Sequence, residues 1–237
     1  MTGLDERLRL FEPLLDELAA ELCPEAIMPM ESRGDSVPDA YHRCNVKRRR
    51  VGEACASDRQ AVLDHSDEIM HAIAHDHCPS GNRQLIEPLV NAIGPRQAME
   101  RILGYVETGS AAERLGASMA WYWASPTLQY ATLDEFRNDP ERSQSGVVKH
   151  ALVPGEPTPA GKNAAARMLM REFRPRIRAA HLGAFLASED PSDCRYFSQF
   201  LSLSPGDYPV EVHPEVEAAR KVAEQHPERF KQGKHGG

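Results

Sequence analysis

The chain has 237 residues, a formal net charge of −7 and 41% hydrophobic residues, a composition within the ordinary globular range. Five cysteines without a CxxC pair exclude a disulfide framework and a zinc ribbon, so we expect a cytoplasmic protein that folds through its core alone. No apolar run reaches the ~20 residues that cross a bilayer, and the N-terminal residues lack the pattern of a signal peptide, so we expect no membrane partner.

The residue balance indicates the fold class. The chain contains 29 Ala and 20 Leu but only 25 Val, Ile and Thr together. Ala and Leu favour helices, whereas β-branched residues favour strands. The sequence therefore predicts an all-α protein.

In chain order, the first predicted element is an amphipathic helix, whose apolar residues recur at steps of three and four over residues 8–22. Pro13 lies within this pattern and marks a first turn or a kink. Residues 28–58 contain several prolines and glycines and the basic run at 47–50, so we predict an irregular loop there.

Further helices follow this loop, separated by prolines and glycines that end one helix or begin the next. The predicted helices cover residues 57–77, 83–93, 95–109, 110–125, 128–136, 164–188, 193–203 and 215–230. Residues 138–162 are rich in Pro, Gly and Ser, and they form a second predicted irregular loop.

The domain organisation follows from these elements. We predict a single α-helical repeat domain over residues 1–237. In an alternative division, two lobes at 1–137 and 163–230 are joined by the loop 138–162. The Gly-rich residues 231–237 are expected to form a frayed tail.

Two segments resemble each other at an offset of 75 residues: LFEPLLDEL at 10–18 aligns with LIEPLVNAI at 85–93. Half of this offset is a repeat length typical of stacked helical pairs, whose apolar faces are buried only by their neighbours. A proline in the first turn of each helix fits this arrangement, because its missing N–H has no intrahelical partner there.

Residues 85–123, with their EPL start, their Gly94-Pro95 turn and a second helix, resemble HEAT-type helical repeats. The segment FRPRIRAA at 173–180 looks like the start of another such helix. The YP, HP and HPERF motifs within 208–230 are similar to the C-terminal ending of bacterial HEAT-repeat proteins. The resemblance implies an α-solenoid of stacked antiparallel helix pairs that binds a partner on its concave face, and it implies no single chemistry. The two long predicted loops depart from a regular repeat.

Four of the ten histidines lie within residues 64–78. On a helix, Asp64, Glu68, His71 and His75 share one stripe, because their spacing is i, i+4, i+7 and i+11. A His pair at i, i+4 chelates divalent metals, and Glu-x-x-His is the helical unit of di-iron sites. Glu68, His71 and His75 are therefore the candidate catalytic residues, and the two histidines are also the candidate metal ligands.

Other observations favour a solvated polar face at this stripe. No second Glu-x-x-His unit occurs, and the His-Glu dipeptides of HEAT-scaffold metal enzymes are absent. His75-Asp76 resembles the dipeptide of HD-type phosphohydrolases, but that family needs a further histidine and a further aspartate. The candidates for these two positions are His65 and Asp139. We therefore expect no bound metal and no cofactor.

The cluster Trp121, Tyr122 and Trp123 contains both tryptophans of the chain. Three consecutive helical residues span about 200°, so they cannot all face one core. We expect at least one of them at a surface, where aromatic side chains anchor partners. In the alternative, two rings lie in the core and one covers a repeat junction.

Four arginines share one helical stripe if Pro175 does not break the helix, and they are candidates for contacting an acidic partner or a carboxylate ligand. These residues are Arg167, Arg171, Arg174 and Arg178. Nucleic acid is an unexpected partner, because the chain is acidic overall and phosphate contacts need a basic surface.

Two functional hypotheses remain. The first is a HEAT-like protein-interaction module, for example a bacterial immunity or scaffold protein, which binds a protein partner through its concave face. The second is a small-molecule enzyme on a helical-repeat scaffold, which uses the His/Glu stripe for acid–base or metal chemistry.

Overall fold

The structure is a computed structural model that describes residues 3–24, 36–139, 149–154 and 160–230. These residues are mostly helical, which confirms the predicted fold class at this level. The helices are α1 Gly3–Leu22, α2 Val37–Ser57, α3 Arg59–Asp64, α4 Ser66–His75, α5 Arg83–Ile93, α6 Pro95–Thr108, α7 Ala111–Ala124, α8 Leu133–Asn138, α9 Ala160–Ala187, α10 Pro191–Phe197 and α11 His213–Gln225. The two short strands are β1 Thr127–Tyr130 and β2 Lys149–Leu152.

The described residues form two compact units. Unit 1 contains the residues up to Tyr105 together with Ala112–Ala124, and unit 2 contains Val106–Ala111 and the residues from Ser125 onward. The division falls within α6 and after α7, whereas the sequence placed an alternative lobe boundary at 138–162. The description as one repeat domain stays a prediction, and its frayed tail lies outside the described residues.

In unit 1, α1 packs against α2 and α4, and α5 packs against α2, α3 and α4. Leu8, Phe11, Leu15 and Leu18 of α1 are buried, which confirms the apolar face predicted from their spacing. Gly94 separates α5 from α6 with a φ of 87°, a conformation that a side chain disfavours. The predicted boundary between these two helices is therefore confirmed.

The predicted loop at 28–58 is wrong over most of its length, because Val37–Ser57 form α2. The Ser36 side chain accepts a hydrogen bond from the Asp39 N–H and caps this helix. The buried face of α2 includes small residues such as Ala40, Cys44 and Gly52, which carry a weak hydrophobic signal. Residues 25–35 lie outside the described residues.

The basic run at 47–50 lies on α2. Lys47 Nζ pairs with Glu12 Oε1 at 2.9 Å and with Asp16 Oδ1 at 2.7 Å, and both carboxylates belong to α1. Arg49 Nε lies 3.8 Å from Glu53 Oε1 on the same helix. The run therefore contributes to ion pairs within unit 1.

In unit 2, β1 and β2 pair in parallel, with Thr127 opposite Lys149. The helix predicted at 128–136 is therefore wrong in its first part, and β2 lies within the predicted irregular loop 138–162. Asn163 donates from Nδ2 to the Gln129 carbonyl at 2.7 Å and accepts from the Gln129 N–H at 3.0 Å. This side chain satisfies the backbone of β1 as a neighbouring strand would.

Helix α9 is the long element of unit 2 and packs against α10, α11 and β1. It continues through Pro175, although the sequence suggested a break there. Phe173, Ile177, Leu182 and Phe185 form its buried face. The four candidate arginines therefore do belong to one continuous helix.

The aligned segments 10–18 and 85–93 both lie in helices, α1 and α5. Pro13 and Pro88 lie inside these helices and not in their first turns, which corrects the predicted position. Among the described residues, no helix combines the length and apolar character of a membrane span.

Candidate functional site

The candidate site begins with two histidines on one face of α4. His71 and His75 are four residues apart, and their rings meet edge to face with centroids 4.7 Å apart. His75 Nδ1 lies 3.1 Å from the His71 carbonyl oxygen. A hydrogen bond donated from this nitrogen fixes the ring and leaves Nε2 with a lone pair for a ligand.

Helix α7 brings a carboxylate to these histidines. A Cβ added at Gly116 would lie 2.6 Å from the Ala74 carbonyl carbon and 3.1 Å from the Asp76 carbonyl oxygen. Only a glycine lets α7 approach the end of α4 this closely. One turn before Gly116, Glu113 Oε1 lies 3.9 Å from His71 Nε2.

The three side chains form a cluster of metal-ligand type. One donor atom from each of His71, His75 and Glu113 lies within 4.8 Å of the other two. Donor atoms around tetrahedral zinc are about 3.3 Å apart, given Zn–N and Zn–O bonds of about 2.0–2.1 Å. The remaining gap is within reach of side-chain rotation, because His71 is 46% exposed and Glu113 is 21% exposed.

Tyr105 lies in the electrostatic environment of Glu113. Its pKa is raised, first by burial and then by the carboxylates of Glu113 and Asp67, while the positive charge of Arg101 opposes the change. Arg101 Nη1 pairs with Asp67 at 2.8 Å.

The structure places Glu68 elsewhere. It lines a pocket of about 560 Å³ between α1 and α4, whose other polar lining residues are Glu17, Glu21, His65 and His71. The carboxylate next to the two histidines is Glu113, not Glu68. His71 belongs both to this pocket and to the three-residue cluster.

Asp76, the aspartate of the HD-like dipeptide, is engaged in an ion pair. Its side chain is buried, and its Oδ1 pairs with Arg48 Nη1 at 2.6 Å. The other aspartate considered for that family, Asp139, lies in unit 2, where it accepts hydrogen bonds from Tyr130 and Arg167. Both carboxylates thus have partners within their own units.

The aromatic cluster is divided between core and surface. Trp121 is 2% exposed, so Tyr122 and Trp123 are the two members that reach the surface of unit 1. Trp123 donates from Nε1 to the Pro79 carbonyl at 2.6 Å, and the Arg83 guanidinium lies 5.2 Å from its ring centroid. Trp123 therefore stabilises the turn that precedes α5.

Arg167 and Arg178, two of the candidate arginines, pair with carboxylates of unit 2. Arg167 Nη2 lies 2.7 Å from Asp139 Oδ2, and Arg178 Nη1 lies 3.5 Å from Asp207 Oδ1. Arg171 is exposed and Arg174 is half-buried. Their predicted contact with a partner stays a prediction.

Sequence reasoning named both histidines but missed Glu113. This residue is 42 positions after His71, and no spacing rule connects them. No family model matches the chain, and no curated protein or solved structure matches it either. The function therefore has to be argued from the geometry of the site.

Proposed function

We propose that unit 1 binds a divalent transition-metal ion through His71, His75 and Glu113. The observation that supports the proposal is the convergence of three donor atoms from two helices within 4.8 Å. The approach of α7 to α4 at Gly116 holds the carboxylate beside the imidazoles. An i, i+4 histidine pair presents both rings to one point, as helical metal sites require.

The donor set indicates which metal. Two imidazole nitrogens and one carboxylate oxygen suit Zn²⁺ and its first-row neighbours, whereas Ca²⁺ and Mg²⁺ prefer oxygen ligands throughout. We therefore name Zn²⁺ as the first ion to test.

Three protein ligands leave one tetrahedral position open. In zinc enzymes such a position holds a water molecule or a substrate atom, and the ion acts there as a Lewis acid. His71 also lines the 560 Å³ pocket, so a small molecule in this pocket would lie beside the ion. This arrangement supports the second sequence hypothesis, a small-molecule enzyme, with Glu113 in the place first given to Glu68.

Isothermal titration of the full chain with Zn²⁺, after treatment with a chelator, tests the proposal. We expect one ion per chain, and a loss of affinity of at least about 10-fold in each of His71→Ala, His75→Ala and Glu113→Gln, because removing even an outer-shell partner of a ligand costs about 10–100-fold. Full affinity in Glu113→Gln would overturn the proposed ligand set.

Two neighbouring side chains supply matched controls. Glu68→Gln and His65→Ala change the same residue types in the same region but lie outside the cluster, so both variants should bind Zn²⁺ as the wild type does. A loss of binding in Glu68→Gln with retention in Glu113→Gln would favour the original sequence stripe over the cluster seen in the structure.

We keep the HEAT-like α-solenoid that acts as a cytoplasmic protein-interaction module as a second proposal. The mostly helical composition and the partly exposed Tyr122 and Trp123 support it. Affinity purification from a native lysate should recover a stoichiometric protein partner, and Tyr122→Ala should weaken its capture. If the chain is recovered without a protein partner under every condition, that result would count against this role.

A further inference from the structure

The turn between α4 and α5 holds Cys78 in a fixed position. Its N–H donates to Asp76 Oδ1 at 3.0 Å, and its carbonyl oxygen accepts from the N–H groups of Gly81 at 3.1 Å and Asn82 at 2.9 Å. The backbone on both sides of the thiol is therefore tied down. The direction of the sulfur is set by this local folding.

Polar groups surround the Cys78 sulfur. The Tyr41 hydroxyl lies 3.6 Å from Sγ and the Ser80 hydroxyl lies 3.7 Å from it. Burial raises the pKa of the Cys78 thiol, but hydrogen bonds from these hydroxyls and from the Gly81 N–H, together with the positive charge of Arg48, outweigh burial and lower it below the ordinary value. The surroundings thus stabilise the thiolate.

Cys78 lines a pocket of about 450 Å³, whose wall also includes Tyr41, Arg48, Ser80 and Gly81. The Arg48 side chain is 3% exposed, and its Nε–H has no hydrogen-bond partner among the described residues. A Cβ at Gly81 would lie 2.8 Å from this nitrogen, so the guanidinium lies directly against the glycine in the pocket wall. The Arg48 guanidinium, which carries this unpartnered donor, and Cys78 thus line one pocket that has room for a small polar reactant.

We propose that Cys78 is a redox-active thiol that small hydroperoxides oxidise to a sulfenic acid in this pocket. The thiolate sulfur attacks one peroxide oxygen, and an S–O bond forms as the O–O bond breaks. Sulfur is oxidised and the peroxide is reduced; the leaving hydroxide or alkoxide then takes a proton from water. Hydrogen peroxide is small enough to reach a residue that is 8% exposed.

The other cysteines supply an internal comparison. Burial raises the pKa of the Cys44 and Cys55 thiols to about 12, and Cys194 is also buried. Cys23 is more exposed than Cys78, yet burial raises its thiol pKa. Accessibility alone would therefore make Cys23 react first, whereas stabilisation of the thiolate makes Cys78 react first.

The test treats the reduced, chelated full chain with stoichiometric hydrogen peroxide at pH 7, traps sulfenic acid with dimedone and locates the label by peptide mass spectrometry. We expect Cys78 to be labelled at least tenfold faster than Cys23. Faster labelling of Cys23, or an unlabelled Cys78, would overturn the proposal.

Two variants test whether the Tyr41 and Ser80 hydroxyls stabilise the Cys78 thiolate. In Tyr41→Phe and in Ser80→Ala, the pH profile of iodoacetamide alkylation at Cys78 should shift to higher pH and the rate at pH 7 should fall several-fold. Tyr122→Phe, which removes a hydroxyl outside the pocket, should leave the profile unchanged. An unshifted profile in both pocket variants, with an unchanged thermal midpoint, would contradict the assigned roles of the two hydroxyls.

The two sites can be separated experimentally. Cys78→Ser should bind Zn²⁺ with wild-type affinity, because Cys78 is not part of the His71, His75 and Glu113 cluster. Conversely, His71→Ala should keep the reactivity of Cys78 toward peroxide. A loss of peroxide reactivity in His71→Ala would contradict an independent thiol site.

Discussion

Two buried ionisable side chains, Asp76 in unit 1 and His181 in unit 2, have different surroundings. In unit 1, Arg48 and Asp76 are both buried and form an ion pair with Nη1 and Oδ1 2.6 Å apart. In unit 2, His181 is fully buried, and its Nδ1 lies 2.7 Å from the Ile177 carbonyl oxygen. Its ring stacks on Phe200 with centroids 4.0 Å apart. Asp76 has a counter-charge beside it, whereas the hydrogen-bond and ring contacts of His181 come from uncharged groups.

The pKa directions express this difference. Burial raises the pKa of Asp76 to about 6, although Arg48 opposes the change. Burial lowers the pKa of His181 to about 4, and only the hydrogen bond to the Ile177 carbonyl opposes it. A buried group therefore stays charged where an opposite charge is built beside it, and elsewhere burial selects the neutral form.

The positions of the tryptophans allow the units to be followed separately. Trp121 and Trp123 are the two tryptophans of the chain, and both belong to unit 1. Tryptophan fluorescence therefore reports unfolding of unit 1, whereas circular dichroism reports the helices of both units.

The largest expected effect comes from breaking the charge pair of unit 1. Arg48→Met should lower the free energy of unfolding of unit 1 by about 3–5 kcal/mol, because Asp76 is left in the core without its cation. Urea unfolding followed by tryptophan fluorescence measures this loss. The double variant Arg48→Met/Asp76→Asn should be more stable than the single variant. Equal stability of Arg48→Met and the wild type would show that the pair contributes nothing.

The uncharged histidine of unit 2 predicts a pH dependence. The unfolded chain protonates His181 near pH 6.5, whereas the folded chain does so near pH 4. Stability is therefore full above pH 6.5 and falls as the pH is lowered toward 4, by up to about 3 kcal/mol. Circular dichroism during urea unfolding at pH 7 and pH 5 should show this loss in the wild type. His181→Phe should lose less stability between pH 7 and pH 5 than the wild type does. An equal loss in both proteins would show that other ionisable groups cause it.

A glycine in each unit gives changes of opposite sign. Gly116→Ala should destabilise unit 1 by about 1–3 kcal/mol, because the added Cβ overlaps the backbone at Ala74. It should also weaken Zn²⁺ binding, because α7 carries Glu113. Gly183→Ala on α9 should stabilise unit 2 by about 0.4–1 kcal/mol, because, apart from the helix's own backbone, no atom of the described residues lies within 4 Å of the added Cβ. Urea unfolding followed by tryptophan fluorescence should show lower stability in Gly116→Ala, and unfolding followed by circular dichroism should show higher stability in Gly183→Ala. A loss of stability in Gly183→Ala would contradict the open space around this glycine.

A hydrogen bond of unit 2 gives an expected effect close in size to that of Gly183→Ala. The Tyr130 hydroxyl donates to Asp139 Oδ2 at 2.5 Å, and Asp139 keeps its pair with Arg167 when the hydroxyl is removed. Tyr130→Phe should therefore cost about 1 kcal/mol, measured by circular dichroism. Tyr196→Phe is the matched control, because its hydroxyl has no hydrogen-bond partner among the described residues. A larger loss in the control would refute the role of the Tyr130 hydroxyl.

Sequence patterns predicted the buried face correctly where large apolar residues recur at the helical spacing. Leu8, Phe11 and Leu15 are buried on α1 as their spacing predicts. Helix α2 was missed because its buried face uses Ala40, Cys44 and Gly52, which a hydrophobic period barely registers. The strands were missed because each has four residues, and such short segments are ambiguous by periodicity.

The sequence by itself determined a mostly helical protein and placed His71 and His75 on one helical face, since both follow from local periodicity. Only the tertiary structure decided that Glu113 joins them, because the close approach of α7 at Gly116 depends on packing between distant segments. The same holds for Cys78, because its Tyr41 hydroxyl and Arg48 guanidinium neighbours come from α2. Local spacing determines which side chains share a face, and long-range packing determines which faces meet.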